Sequence, residues 1–481
     1  MTNPTRLFTN FIGGAWQPAH HAETFSDENQ AARGSVLARF QSSTPADVTA
    51  AVDAADKAFR VWRRASVADR QQLGSRFLQL LGERREELAR IVSQENGKTI
   101  REARAEVDSA IREGTHHVHQ IGTFGGHVLP AGAGAYTGWM QYHPLGVAGI
   151  ISPWNFPLNV MCRKALPALL TGNTVVFKPA TFTPWTGIYL AQLFEGAGFP
   201  AGVFNCVTGL GSAIGNALIE DPRVRAISFT GSTEVGRKIQ ARAAQRLTRT
   251  QLELGGKNAL IVLEDANLET AVDAAVTAGF ACAGQWCTST SRLLLQADIH
   301  DAFLDRLSAR CARMEVGDPL DERTEMGPVA GPEQFRTITA AIAQASSEGA
   351  RLVMGGLGDD GGYFIRPTVF DGVTPAMTLF RHEVFGPVLA ATKFATLDEA
   401  LRLANDLPYG LSSALFTRDV AAAMRYINEI EAGMAHVNIH TGFKDPGLPF
   451  GGWKESGFGL PENSRTGLEF FVDYKSVYVK A

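Results

Sequence analysis

From residue 145 to about 250 the chain repeats one rhythm: a short apolar run, a loop, then a helix-length segment. The runs fall at residues 146–151, 174–177, 203–207 and 226–229. They are short, rich in Val, Ile and Phe, and apolar without alternation, as expected of parallel strands covered on both faces. Parallel neighbours need a crossover connection, and a helix is the usual one. The pattern therefore predicts an α/β fold with an open, doubly wound sheet, whose ligands bind at the carboxyl ends of the strands. A second βα-rich stretch runs from about 254 to 440, with runs at 259–263, 291–296 and 388–392 and a helix near 267–283. There is no internal repeat and no low-complexity linker, so domain boundaries are expected in short loops near 253 and 440. A chain of 481 residues outgrows a single core, which fits two or three domains.

The flanking regions carry their own signals. Residues 11–17 read as a hairpin around Gly13-Gly14. Thr44-Pro45-Ala46-Asp47 marks a helix start, and Val48, Val52, Ala55, Phe59 and Trp62 behind it form one apolar helix face. One long helix is expected over 68–94, ending before Asn96-Gly97, and another from Thr99 to His119. His116, His117 and His119 end that helix without a cysteine nearby, so no metal site is expected. Residues 122–143 turn glycine-rich and then extended and aromatic, in the style of the tail at 470–479. Two such strands suggest edges paired in a subunit interface, the alternative being packing on their own subunit.

Bulk properties narrow the partners. A net charge of −4, with 20% charged and 45% hydrophobic residues, offers no electrostatic case for nucleic acid. Cys162, Cys206, Cys282, Cys287 and Cys311 are odd in number and widely spaced, which suits a reducing compartment. The first ten residues lack an apolar run behind a basic start, and no run of about 18 apolar residues occurs to cross a membrane. A cytoplasmic protein without membrane contact is expected.

Chemistry concentrates between residues 252 and 288. Leu252-Glu253-Leu254-Gly255-Gly256-Lys257-Asn258 opens the stretch and Gly284-Gln285-Trp286-Cys287-Thr288 closes it. Acyl transfer through a thioester needs a sulfur that attacks a carbonyl and a base that later activates water. Cys287 and Glu253 are candidates for the two, the alternative being a surface acid and a small buried hydrophobe. Upstream, Phe229-Thr230-Gly231-Ser232-Thr233-Glu234-Val235-Gly236 puts a glycine turn before a helix start, which presents N–H groups to a pyrophosphate. A plain tight turn would read the same way. Lys178 closes the 174–177 run, where its ammonium is placed for ribose or phosphate.

With these residues assembled, the chain resembles the NAD(P)-dependent aldehyde dehydrogenase superfamily over essentially its full length, with semialdehyde dehydrogenase-like features. The matching motifs are Pro153-Trp154-Asn155-Phe156-Pro157, Gly172-Asn173-Thr174-Val175-Val176-Phe177-Lys178-Pro179, Phe229-Thr230-Gly231-Ser232, Glu253-Leu254-Gly255-Gly256, Gly284-Gln285-Trp286-Cys287, Glu383-Val384-Phe385-Gly386-Pro387 and Pro449-Phe450-Gly451-Gly452-Trp453-Lys454-Glu455-Ser456-Gly457. The resemblance implies a Rossmann-like cofactor domain (1–121 and 144–253), a second α/β catalytic domain (254–440) and a small β oligomerisation element (122–143 and 465–481). The implied assembly is a homodimer or homotetramer. The implied chemistry has Cys287 attack the aldehyde, with the Asn155 amide and the Cys287 N–H stabilising the oxyanion. Hydride then passes to the nicotinamide, and Glu253 activates the water that hydrolyses the thioester.

By the same resemblance Lys178 contacts the adenosine ribose, Glu383 the nicotinamide ribose and Phe385 the nicotinamide. Gly231 and Ser232 lie by the pyrophosphate and Gly211 near the adenine. Ile151, Pro153 and Trp154 complete the cofactor-binding set on one side, with Pro179, Ala180, Thr181 and Gly215. On the other side stand Phe229, Thr230, Val235 and Leu254. NAD-preferring relatives commonly carry an acid where Thr181 stands, so NADP or NAD is the expected cofactor, with NADP accepted. Cys282 matches no catalytic position and is expected to pack inside the preceding helix.

For the substrate, Arg163 matches an arginine that binds a carboxylate in semialdehyde-oxidising relatives, which predicts a small anionic ω-semialdehyde. Asn159, Trp286, Thr288 and Phe450 complete the expected substrate set, with Lys444 and His440 adding positive potential or, in the alternative, standing as solvated loop residues. The alternative at Arg163 is an ion pair with a neighbouring carboxylate. Trp286 and Trp154 together would instead suit a benzaldehyde-type aldehyde. A CoA-acylating enzyme is disfavoured by Glu253, and a non-catalytic scaffold by the presence of thiol, amide and base together.

Overall fold

The computed structural model describes residues 6–129, 136–358 and 361–480. Residues 130–135 of the expected 122–143 segment therefore lie outside the described part, as does residue 481. An eight-stranded sheet runs in the order Gly457–Phe458, Arg249–Glu253, Val224–Thr230, Val147–Ile151, Thr174–Lys178, Phe204–Cys206, Asn10–Ile12 and Ala15–Gln17. Its five central strands are mutually parallel. In chain order they lie 3-2-1-4-5, so the winding reverses between Val147–Ile151 and Val224–Thr230. That is where a doubly wound sheet opens a crevice.

A seven-stranded sheet follows: Arg351–Leu357, Ile365–Asp371, Val388–Phe394, Thr290–Gln296, Asn258–Val262, Ser412–Phe416 and Met434–Val437. All its neighbours are parallel except the first pair. The two strands bearing most directly on the chemistry, Arg249–Glu253 and Asn258–Val262, are joined by only four residues but belong to different sheets.

Local signals explain the helices around the crevice. Thr99 caps Ile100–Gln120 and Glu102 closes the reciprocal bond, a capping box. The single helix expected over 68–94 is two, Val67–Glu83 and Arg85–Asn96. Arg84 leaves helical geometry (φ −106°, ψ 15°) where Glu86 and Glu87 begin a new first turn. The helix expected near 267–283 stops at Phe280, so Cys282 lies beyond it rather than within it.

The two extended segments pair with each other. Thr137–Pro144 and Val472–Val479 form an antiparallel ladder, Thr137 opposite Val479 through Pro144 opposite Val472. In this chain the tail is thus paired within its own subunit, and its start at 464–469 is helical, not extended. Among the described residues no helix is long and apolar enough to cross a membrane, and none of the His, Cys, Asp and Glu clusters could hold a metal ion.

Candidate active site

Cys287 sits in the loop that leads from the helix Leu268–Phe280 into the strand Thr290–Gln296. Three successive residues, Cys282 (φ 52°), Ala283 (φ 55°) and Gly284 (φ 69°), take left-handed geometry to turn the chain back. At Gly284 a side chain would also meet the Gly386 carbonyl at 2.2 Å, so only glycine fits. Asn258 then pins the loop, donating from Nδ2 to the Cys287 and Ser289 carbonyls, both at 2.8 Å. The Cys287 N–H has no backbone acceptor among the described residues.

Glu253 ends its strand, buried, with Oε1 lacking a hydrogen-bond partner among the described residues. Burial first, then the Glu462 carboxylate, push its carboxyl up to about 8. Burial and the neighbouring Glu253 likewise hold the Cys287 thiol well above the usual range. In the resting site, acid and thiol therefore both keep their protons at neutral pH.

Asn155 follows the strand Val147–Ile151. Its Nδ2 donates to the Gln285 carbonyl at 3.1 Å, which ties it to the Cys287 loop and, among the described residues, leaves its second N–H free. The backbone around it is held by a buried ion pair. Lys98 Nζ donates to Glu106 at 2.6 Å and to the Asn155 carbonyl at 2.8 Å, and sits 3.8 Å above the Phe156 ring. The other Glu106 oxygen accepts the Leu158 and Asn159 N–H groups at 2.9 and 3.0 Å.

Two cavities meet at this point. One, of about 390 Å³, is lined by Pro153, Trp154, Ala180, Phe229, Thr230, Gly231, Ser232, Val235, Leu254, Glu383 and Phe385 from the expected cofactor set. Ser152, Gly255 and Gln334 line it too, and sequence reasoning missed them. The other, of about 370 Å³, is lined by Asn159, Arg163, Trp286 and Phe450 from the expected substrate set. Asn155, Thr230, Glu253 and Cys287 belong to both walls. Thr288 belongs to neither, being buried with its hydroxyl unpartnered.

Observations of the first cavity fit an elongated, polar-ended cofactor. The Ser152 hydroxyl is buried there without a partner among the described residues. Glu383, pushed by burial up to about 7, accepts the Gly256 N–H at 3.0 Å. A side chain at Gly255 would meet the Glu383 carboxyl at 2.3 Å. Phe385, in left-handed geometry (φ 55°), stands edge-on to Trp154 at 5.4 Å, and Gln334 holds its carbonyl at 2.7 Å.

Ile151, Lys178, Pro179, Thr181, Gly211 and Gly215 lie outside those walls, near the strand ends and the start of the helix Gly211–Glu220. Ile151 pairs with Lys178 across the sheet. A side chain at Gly211 would meet the Lys178 stem at 3.9 Å, and the Thr181 hydroxyl points to the Gly209 carbonyl at 3.4 Å. Lys178 donates to the Pro179 carbonyl at 2.7 Å.

Arg163 faces the second cavity but does not present a free guanidinium. It donates to Glu113 at 2.8 and 3.3 Å, to Glu462 at 3.3 Å and to Asn159 at 2.8 Å, and lies over the Phe450 ring at 4.4 Å. The expectation of an open carboxylate anchor there is corrected to the ion-pair alternative, because a buried cation without counter-charge costs several kcal/mol. Lys444 joins the cluster, 2.5 Å from Glu113, and is not a solvated loop residue. Although burial favours its neutral form, Arg163 and Lys444 hold the Glu113 carboxyl well below the usual range. Lys164 pairs with Glu462 and reaches the Ser228 hydroxyl at 3.0 Å. Burial lowers the pKa of His440, which also lines the cavity, so it adds no charge at neutral pH.

Comparison with known proteins agrees with this geometry. The pattern of the aldehyde dehydrogenase family matches residues 16–477. An alpha-ketoglutaric semialdehyde dehydrogenase of Bacillus subtilis is 38% identical, over 98% of each chain. A 4-trimethylaminobutyraldehyde dehydrogenase B of Danio rerio is 39% identical over 98% of this chain and 92% of the other. A crystal structure of an NAD-dependent aldehyde dehydrogenase from Sinorhizobium meliloti superposes with a TM-score of 0.97 at 37% identity, covering 99% of this chain and 95% of the other.

Proposed function

The chain belongs to the aldehyde dehydrogenase family, and from that premise we propose that it oxidises a small anionic ω-semialdehyde through Cys287, Glu253 and Asn155. The observation that carries the roles is the junction of the two cavities at these three residues and Thr230. Cys287, once deprotonated, attacks the aldehyde carbon from the junction. The free N–H of the Asn155 amide and the Cys287 N–H face the developing oxyanion, each such donor contributing roughly 3–4 kcal/mol. A bound NAD(P) supplies the hydride acceptor there, with Glu383, Phe385, Gly231 and Ser232 holding it. Glu253 then takes a proton from the water that hydrolyses the Cys287 thioester.

Substrate charge is read from the second cavity. Among the charged residues lining it, Arg112, Arg163 and Lys444 stand against Glu102 and Glu106, an excess of one positive charge. Glu253 does not offset it while protonated. The Phe450 face that a cationic aldehyde would use is already covered by Arg163. The name of the Bacillus subtilis relative points the same way and that of the Danio rerio relative does not. For the benzaldehyde alternative, Trp154 stands in the other cavity against Phe385, which leaves Trp286 near Phe156 and His440.

The exposed Tyr474, Tyr478 and Val479 on the two-stranded ladder support a homodimer or homotetramer.

The substrate reading is tested by kcat/KM for 2,5-dioxopentanoate (alpha-ketoglutaric semialdehyde), succinic semialdehyde, 4-trimethylaminobutyraldehyde and benzaldehyde, with and without CoA. The anionic aldehydes are expected to lead without CoA. A lead for the cationic or the aromatic aldehyde would overturn the reading.

A further inference from the structure

The helix Ile100–Gln120 turns one stripe toward the aldehyde cavity: Glu102, Ala105, Glu106, Ser109 and Arg112, spaced by three and four. The other polar groups on it are committed to the protein. Glu102 accepts the Thr99 and Cys282 N–H groups at 2.8 and 2.7 Å. Glu106 holds Lys98 and the Leu158 and Asn159 amides, and Ser109 donates to Glu113 at 3.2 Å. Arg112 differs from all of them. It is exposed on the cavity wall and has no hydrogen-bond or ion-pair partner among the described residues. The acid one turn before it, Asp108, is already gripped by Arg85 through two bonds of 2.7 Å.

We propose that Arg112 docks the far carboxylate of the substrate at the cavity mouth, the task that Arg163 cannot take up while Glu113 and Glu462 occupy it. The proposal rests on the anionic-semialdehyde reading above and gives that substrate its contact. Six residues of helix, about 9 Å, separate Arg112 from Glu106, which braces the Asn155 turn. A five-carbon semialdehyde has four carbon–carbon bonds of about 1.5 Å and spans about 5 Å in zigzag form. The flexible arginine stem covers the difference, and its planar fork matches a carboxylate in two bonds. Because Arg112 is exposed, the pair forms with little desolvation and weakens with salt.

The test compares kcat/KM for 2,5-dioxopentanoate and for pentanal, of equal carbon number but uncharged. It uses purified wild type, Arg112→Leu and Arg112→Lys, each at low and high salt. The ratio of anionic to uncharged substrate is expected to fall about threefold in Arg112→Leu, through KM for the anion. Arg112→Lys should regain part of it, and salt should narrow the wild-type ratio and leave that of Arg112→Leu nearly flat. A wild-type preference for the anion that survives Arg112→Leu sinks the role of Arg112 and leaves the substrate reading standing. A wild type without that preference sinks the substrate reading, and this proposal with it.

Discussion

Glu253 makes the sharpest demand on experiment, because its environment opposes its task. A base must be ionised, yet burial and Glu462 push this carboxyl up to about 8. Ionisation follows the ordinary titration curve, so roughly one site in ten carries the charge at pH 7 and roughly nine in ten at pH 9. If hydrolysis of the thioester limits turnover, the steady-state rate should therefore rise about tenfold between those values. Rapid mixing separates the steps, since a burst of reduced cofactor reports acylation and the later slope reports hydrolysis. The burst should stay near one equivalent per site while the slope climbs. Glu253→Gln should keep the burst and stall afterwards, whereas Cys287→Ser should show neither phase, an alcohol being a far poorer nucleophile than a thiol. A slope independent of pH from 6 to 9, or full steady-state turnover in Glu253→Gln, would refute the assignment.

Two further outcomes follow from the described contacts. Lys98→Met strips the fully buried Glu106 carboxyl of its cation, which should cost about 3–5 kcal/mol in urea unfolding. The same variant should lower kcat, since the Asn155 carbonyl loses its anchor. With Thr181 in place of an acid, no carboxylate at that position repels a 2′-phosphate, so kcat/KM for NADP should lie within about tenfold of that for NAD. A deficit of two orders of magnitude for NADP would end that expectation.

Much of the fold was legible because its signals are local. The apolar runs mark both parallel sheets, and Thr44 and Thr99 each carry their reciprocal acid three residues on. Cys287, Glu253 and Asn155 stand in compact motifs that needed no partner to be noticed. What escaped reading depends on distant residues. Nothing around Arg163 announces Glu462, which arrives 299 positions later. The break at Arg84 was missed although Glu86 and Glu87 marked a fresh first turn. The stripe Glu102–Glu106–Ser109 is a polar helix face, ordinarily solvated. Only the tertiary structure shows that it lines a cavity.

The ion pair between Lys164 and Glu462 spans 298 positions, which gives it a meaning in time. During synthesis the helix Asn159–Leu170, all of whose residues end up buried, emerges long before its counter-charge exists. At about 5–20 residues per second the delay is roughly 15–60 s. Throughout it Lys164 lacks the carboxylate that pairs with it in the folded chain, and burying it unpaired would be unfavourable. Phe450, in the wall of the aldehyde cavity, is made in the same late stretch, so that wall too waits on it.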